Sequence, residues 1–190
     1  MIMIMSDFLF DTLLQRSTRA LVLEPEERLF HRGDRVSSVY LLLSGVIDLV
    51  RYQPDGRAVV LNRIKDHAIV AEASLYTERY HCDGLCVESA TVQSVPRASM
   101  TRLLRGDPDL AEQWSTYLAL ELQNMRHRCE LLTRKTVAER LSGWLDWHEA
   151  LPPKGRWKDV ADEIGVSPEA LYREIKKRRR QTPIDEREEI

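Results

Sequence analysis

The sequence predicts an α+β fold with three parts: an antiparallel β-roll of the jelly-roll type, a long helix and a small helical module. Short β-branched segments, separated by single glycines at a spacing of roughly ten residues, fill the stretch 24–95. Apolar residues then recur at helical spacings of four and three residues. Two short helical segments joined by a glycine turn follow. We therefore divide the chain into residues 1–106, 107–133 and 134–190.

Composition supports a folded protein. Of the 190 residues, 43% are hydrophobic and 31% are charged. This is enough apolar side chain for a core and excludes general disorder.

No apolar run is long enough to span a membrane. The apolar start at Met1–Met5 lacks a basic region, so we expect no secretory signal. Three cysteines are too few for a disulfide framework, and we expect a reduced, cytoplasmic protein.

Charge is unevenly distributed along the chain. The formal net charge is -2, yet the segment 154–180 carries nine Lys or Arg residues against five acidic ones. A basic segment on an otherwise acidic protein is suited to a polyanionic partner. On charge alone, a solvated helix face with a charged end is the favoured interpretation.

The β-roll is predicted from turns and β-branched runs. Gln53-Pro54-Asp55-Gly56 is a typical hairpin turn. We expect breaks in the strands at Ser44-Gly45 and between Val87 and Ala90. The predicted strands are Arg28–Phe30, Val39–Leu43, Val46–Tyr52, Ala58–Ile64, Leu85–Val87 and Ala90–Val95.

Two helices follow Pro96. The first covers Arg97–Leu104, and the second begins with Asp107 as N-cap and Pro108 in the first turn. One stripe of the second helix, consisting of Leu110, Trp114 and Tyr117, is predicted to face the strands. A heptad seam of Leu118, Leu122, Met125, Cys129 and Leu132 predicts a homodimeric coiled coil. The alternative is a helix buried on both sides within one chain.

The C-terminal module predicts a helix-turn-helix. After an amphipathic helix at Val137–Trp147, Trp157–Gly165 forms a packing helix, and Ser167 caps a second helix with Pro168 in its first turn. Leu171 and Ile175 face inward. The outward face carries Ser167, Glu169, Tyr172, Arg173, Lys176 and Lys177. The alternative is an ordinary helical hairpin with a basic surface.

This outward face has the chemistry of DNA recognition. Arginine suits the O6 and N7 acceptors of guanine, and glutamate accepts from N4 of cytosine. The cations expected to meet phosphates are Lys158, Lys176, Lys177 and Arg178–Arg180.

In this order, the parts resemble the Crp/Fnr family of bacterial transcription regulators. The stretches that carry the resemblance are Val39–Gly45, Pro54–Arg57, Ala71–Tyr76, Val137–Leu141 and Val166–Arg173. The resemblance implies a sensor domain, a homodimer, double-stranded DNA as partner and contact with RNA polymerase. It also implies that Glu169 and Arg173 read base edges. Pro168 stands where the family has an arginine, so one expected base contact is missing.

Other positions depart from the family. Ala71 replaces the glycine that precedes Glu72 in cyclic-nucleotide binders, and the stretch 77–83 has no Arg-Ser pair for a cyclic phosphate. We therefore predict no cAMP or cGMP binding, with an effector still unknown. The candidate effector residues are Glu72, Arg79, His81 and Cys82. The apolar pattern of the last helix stops at Ile175, so we expect the wing that usually follows to be absent or degenerate.

One cluster leaves a redox or metal role open. His81, Cys82 and Cys86 offer ligands for zinc, an iron–sulfur cluster or haem. The spacing is not that of a usual zinc site, and the simpler interpretation is that Cys86 is a small buried hydrophobe. We predict no metal, no cofactor and no enzymatic activity, because the sequence shows no catalytic motif. The remaining alternative is a sensor or interaction protein of this fold that has lost specific DNA binding.

Overall fold

The computed structural model describes residues 2–65, 67–148 and 150–181. The α-helices among these residues are α1 (Ile2–Leu14), α2 (Arg97–Gly106), α3 (Pro108–Thr133), α4 (Val137–His148), α5 (Trp157–Glu163) and α6 (Pro168–Gln181). The six strands are β1 (Arg19–Leu23), β2 (Arg28–Phe30), β3 (Ser38–Tyr52), β4 (Ala58–Ile64), β5 (Ala68–Val70) and β6 (Asp83–Pro96). The predicted α+β class is confirmed. Residues 182–190, on which the prediction about the wing falls, lie outside the described residues.

The strands form one antiparallel sheet in the order β1-β6-β3-β4, with β2 added to β6 and β5 added to β3. Alternate side chains of β3 enter two different cores. Tyr40 and Leu42 lie inside the roll with Phe30, whereas Val39 and Leu41 pack against the helices. The sheet therefore separates the interior of the roll from a helical layer made by α1, α2 and the first half of α3.

Two of the predicted strand breaks are wrong. β3 runs without a break through Ser44-Gly45, and β6 continues from Leu85 to Val95. The register of β3 against β6 shifts around Gly45, which has a φ of +95°. A Cβ atom at Gly45 would lie 2.4 Å from the Ser89 carbonyl oxygen. The glycine therefore marks a β-bulge, at which the strand kinks and stays paired.

Helix α1 and strands β1 and β5 were not predicted from the sequence. Leu9 and Leu13, one turn apart in α1, are almost fully buried against the helix-facing side of the sheet. Asp48 on β3 and Arg63 on β4 are cross-strand partners and form a two-point ion pair at 2.8 and 2.9 Å. This pair stabilises the hairpin formed by β3 and β4, whose predicted turn at residues 53–56 is confirmed.

Helix α3 begins as predicted. The Asp107 carboxylate accepts a hydrogen bond from the Leu110 amide at 3.0 Å, which caps the helix. Leu110 and Trp114 are each 2% exposed in the helical layer, so the predicted inward stripe is confirmed.

The chain divides into two compact units, Met1–Ala119 and Leu120–Ile190. The second unit has a core of its own, built from Leu131, Leu141, Trp144, Trp157, Val160, Ala161, Ile164, Leu171 and Ile175. The division falls within α3, and the three-part organisation stays a prediction. Among the described residues, no helix is both long and apolar enough to cross a membrane.

Candidate nucleic-acid interface

Helix α6 presents a polar, mainly basic face to solvent. The Ser167 hydroxyl accepts a hydrogen bond from the Ala170 amide at 3.2 Å, so Ser167 caps the helix as predicted. Leu171 is fully buried and Ile175 is 3% exposed in the core of the second unit, which turns the opposite face outward. Of the predicted DNA-binding residues, Pro168 is half-buried and the following are exposed: Ser167, Glu169, Tyr172, Arg173, Lys176 and Lys177.

The first turn of α6 favours the ionised form of Glu169. The backbone N–H of Glu169 lowers the pKa of its carboxyl below the ordinary value, and the Ser167 hydroxyl and the positive charge of Arg173 act in the same direction. Arg173 lies four residues further on, one helical turn away on the same face. The face therefore offers a carboxylate acceptor and a guanidinium donor side by side.

A tight turn joins α5 to α6. Gly165 has a φ of +65°, and a Cβ atom there would lie 2.5 Å from Cδ2 of Leu132. The Gly165 amide bonds back to the Asp162 carbonyl, and the Val166 amide to that of Ala161. This geometry confirms the predicted turn between a packing helix and an outer helix.

Arg140 holds this turn in place, a role that the sequence reasoning missed. Its Nη1 donates to the carbonyl oxygens of Ile164 at 3.1 Å and Gly165 at 3.0 Å. Its other nitrogens donate to the carbonyls of Leu132 and Arg134, just at and after the end of α3. One guanidinium thus satisfies carbonyl groups at the ends of two helices.

A second missed feature is the cap of α4. The Glu139 carboxylate accepts from the amides of Lys135 and Thr136, and the Thr136 hydroxyl accepts from the Glu139 amide at 3.1 Å. This arrangement is a capping box. Its signal, a threonine followed three residues later by a glutamate, is present in the sequence.

Arg178, for which phosphate contact stays a prediction, is bound within the second unit. Its guanidinium pairs with Glu174 at 3.0 Å and also donates to the Ala138 carbonyl and the Ser142 hydroxyl on α4. Arg178 therefore ties α6 to α4. Arg179 is exposed and lies over the Trp157 ring, 5.3 Å from its centre, while Tyr172 contacts the same indole.

The predicted seam of α3 is partly open to solvent in the single chain. Leu122 is 50% exposed and Leu132 is 39% exposed, and Cys129 is also exposed. Leu118 and Met125 are half-buried. Leu132 additionally lies against the turn at Gly165, so its side chain also belongs to the helix-turn-helix.

The candidate effector residues all lie in the segment between β5 and β6. Glu72 begins a short 3-10 turn, Glu72–Ser74, and is half-buried. Ala71 before it keeps a left-handed backbone, with a φ of +69°, that glycine would adopt without strain. The Arg79 guanidinium donates to the Gly33 carbonyl at 2.6 Å, which commits it to the neighbouring turn.

His81 contacts a neighbouring side chain, and Cys82 and Cys86 are buried. Nδ1 of His81 lies 3.4 Å from the Ser74 hydroxyl, and burial lowers the pKa of this imidazole. Burial raises the pKa of the Cys82 thiol to about 11 and also raises the pKa of Cys86, which is fully buried. Within the described ranges, no three His, Cys, Asp or Glu side chains lie together as metal ligands would. The geometry favours the structural interpretation of both thiols.

The sequence of this chain is similar to those of known proteins. Residues 20–107 match the cyclic nucleotide-binding domain. The chain is 25% identical over 172 residues to the transcriptional activatory protein AadR of Rhodopseudomonas palustris, covering 84% of this chain and 71% of AadR. It is 24% identical over 135 residues to the transcriptional activator Anr of Pseudomonas aeruginosa, covering 71% of this chain and 55% of Anr. The chain thus spans between about half and about seven tenths of these relatives' lengths.

Solved structures of similar fold extend over both units. FixK2 from Bradyrhizobium japonicum superposes with a TM-score of 0.68 at 19% identity, covering 86% of this chain and 85% of FixK2. The c-di-GMP responsive global regulator CLP of Xanthomonas campestris gives a TM-score of 0.65 at 17% identity, covering 92% of each chain. A β-roll that matches the cyclic nucleotide-binding domain, a helical C-terminal module and relatives named as transcriptional activators together support a transcription regulator of the Crp/Fnr type.

Proposed function

We propose that the chain is a homodimeric transcription regulator that binds a near-palindromic site in double-stranded DNA through α6. The observation that carries this proposal is the outer face of α6, where Arg173, Lys176 and Lys177 are exposed on a helix whose opposite face is buried. An α-helix fits the major groove of B-form DNA, and cations supply most of the affinity for its phosphates.

The face divides into base-reading and phosphate-binding parts. Glu169 and Arg173 lie in the N-terminal half of α6. In helix-turn-helix proteins this part of the helix approaches the base edges. Glu169 would accept from cytosine and Arg173 would donate to guanine. Ser167, Pro168 and Tyr172 flank them, and Lys176 and Lys177 would contact phosphates.

Pairing of two chains along the seam of α3 would bring a second copy of α6 to the DNA. Leu118, Leu122, Met125, Cys129 and Leu132 repeat with heptad spacing, and burying the exposed Leu122 against a second copy would remove apolar surface from water. Two copies would then present their α6 helices to successive major grooves, about 34 Å apart. RNA polymerase is the expected further partner of a regulator of this family.

The β-roll would carry the signal that shifts the dimer helices between two arrangements. We propose that the effector is not cAMP or cGMP, because Arg79 is committed to Gly33 and no Arg-Ser pair lies in this stretch. We also propose that the chain is not an enzyme. A sensor that has lost DNA binding and a redox or metal sensor built on His81, Cys82 and Cys86 are less well supported, because the relatives are named as transcriptional activators or regulators and both thiols are buried.

Selection of bound duplexes from a random DNA pool tests the proposal, followed by titration of the selected duplex at several salt concentrations. We expect a near-palindromic sequence and a steep loss of affinity with salt. Each phosphate contact contributes roughly 0.9 to the slope of log affinity against log salt, so replacing Lys176 and Lys177 by glutamine, which removes two contacts in each chain of the dimer, should reduce the slope by about 3.6. The control is Lys135→Gln, an exposed lysine outside α6. Failure to enrich any sequence would overturn the proposal.

A further inference from the structure

Four arginines of the first unit surround an open cavity beside α2. The cavity has a volume of about 600 Å³, and its walls include Arg35, Arg97, Arg102 and Arg105 together with Ser37 and Thr101. Arg35, Arg102 and Arg105 are exposed and Arg97 is half-buried. The DNA-binding proposal uses none of these residues.

A second cavity adjoins the first. Between them lies a ridge on α2 that consists of Arg97, Thr101 and Arg105. Arg97, Thr101 and Arg105 line both cavities and are spaced four residues apart, so they lie along one face of the helix. The second cavity has a volume of about 270 Å³, and its far wall is mainly apolar, with Leu75, Leu104 and Trp114. Tyr76, which is 66% exposed, lies at its edge.

The charges around these cavities are unbalanced. No carboxylate lines either cavity, and the ion pairs between described residues include none of the four arginines. Like charges gathered on one surface repel each other, and an anion bound among them relieves the repulsion. The planar guanidinium group binds phosphate through two parallel hydrogen bonds, which makes phosphate the anion that arginine suits best.

Tyr76 indicates that the ligand also has a part that enters the smaller cavity. Its aromatic side chain is 66% exposed at the cavity edge, and Leu104 in the wall is half-buried. An exposed aromatic side chain can stack on another ring and contact apolar groups. These two side chains are therefore suited to an aromatic ring of a ligand.

We propose that the two cavities form one binding site for a small phosphate-bearing molecule with an aromatic ring, of the nucleoside polyphosphate class. The phosphates bind Arg97 and Arg105 on the ridge, with Arg35 and Arg102 beyond them, and the ring enters the Trp114 cavity. Neither Glu72 nor His81 lines either cavity, and the proposed site stands whether or not α6 binds DNA.

Calorimetric titration of the full chain with ATP tests this site, with pyrophosphate and adenosine as probes for its two halves. We expect saturable ATP binding, and binding of each half at least about tenfold weaker. Replacing Arg97 and Arg105 together by glutamine should weaken ATP binding at least about tenfold. Arg57→Gln, an exposed arginine in the turn between β3 and β4, is the control and should change nothing. Thermal denaturation checks that each variant is folded.

The indole resonances of the four tryptophans give a second readout. The resonance of Trp114, assigned from backbone connectivity and from Trp114→Phe, should shift on addition of ATP. Pyrophosphate binding as tightly as ATP would mean an adventitious ion only and would overturn the proposal, as would the absence of saturable binding. Loss of duplex DNA affinity in the double variant, with ATP displaced by duplex, would also overturn it in favour of a nucleic-acid surface.

Discussion

The guanidinium of Arg140 donates a hydrogen bond to the Gly165 carbonyl oxygen at 3.0 Å. Arg140 belongs to α4, whereas Gly165 forms the turn between the two helices of the helix-turn-helix. The same side chain binds the Leu132 carbonyl near the end of α3. The position of the turn, and with it the start of α6, is therefore fixed by a residue that has no place on the proposed DNA-binding face.

Replacing Arg140 by lysine should destabilise the second unit while keeping its charge. One ammonium group cannot reach four carbonyl oxygens in the geometry of the guanidinium fork. We expect the free energy of unfolding to fall by about 1–3 kcal/mol, because carbonyls at helix ends lose their donor. Urea denaturation measures the change. The control is Arg126→Lys on the exposed surface of α3, and an equal effect of both substitutions would contradict the role of Arg140.

Gly165→Ala should also destabilise the turn. The left-handed backbone costs a residue with a Cβ atom about 1–2 kcal/mol, and the Leu132 side chain must move to make room. Gly155→Ala is the matched control, because a Cβ atom there meets nothing within 4 Å. We expect a lower midpoint of thermal denaturation for the first variant only. Unchanged stability of Gly165→Ala would show that the turn adopts another conformation.

The capping box of α4 predicts a pH dependence. The Thr136 amide and hydroxyl, the Lys135 amide and the charge of Arg134 lower the pKa of Glu139 below its ordinary value of 4.5. A carboxyl whose pKa is lowered by folding stabilises the protein fully above its unfolded pKa, and this stabilisation is lost as the pH falls through the folded value.

Thermal denaturation of the wild type and of Glu139→Gln checks this dependence. The difference between their midpoints should be constant near neutral pH and should shrink as the pH falls below 4.5 towards the folded pKa. Glu112→Gln, an exposed glutamate on α3, is the control. A midpoint difference for Glu139→Gln that grows in acid would refute the capping role.

Cys129 reports on the proposed dimer. It is exposed in the single chain, whereas Cys82 and Cys86 are buried and their pKa values are raised. In a parallel coiled coil two Cys129 thiols would face each other across the seam. Oxidation by copper phenanthroline in air should then link two chains by a disulfide, seen on a non-reducing gel. Cys129→Ser should abolish the linked dimer and Cys82→Ser should not; a linked dimer in Cys129→Ser would contradict the seam.

Periodicity and caps were enough to predict most helices of this fold. Asp107 and Ser167 each carry a short polar side chain before a proline, and both cap a helix as expected. The hairpin around residues 53–56 was equally clear, because its turn residues specify it locally. Burial of Leu171 and Ile175 likewise followed from helical spacing, so the outward face of α6 could be named in advance.

Features that depend on distant parts of the chain could not be predicted in this way. Gly45 suggests a break, but pairing with β6 carries the strand through a bulge. Arg178 appears in sequence as one of three consecutive arginines, and only the approach of α4 shows that it binds Ala138 and Ser142. The cavities beside α2 gather Arg35 and Arg97 from separate elements. Local sequence patterns do not show which residues from distant elements come into contact.

Binding of Arg173→Ala to the selected duplex and to a scrambled duplex tests the central claim most directly. Fluorescence anisotropy should show a loss of about 1–3 kcal/mol for each half-site of the selected duplex, with relaxed preference at one base position in each half-site. Affinity for the scrambled duplex should change much less, and Arg126→Ala should behave like the wild type. Equal discrimination between the two duplexes by Arg173→Ala and the wild type would contradict the assignment of α6 as the DNA-reading helix.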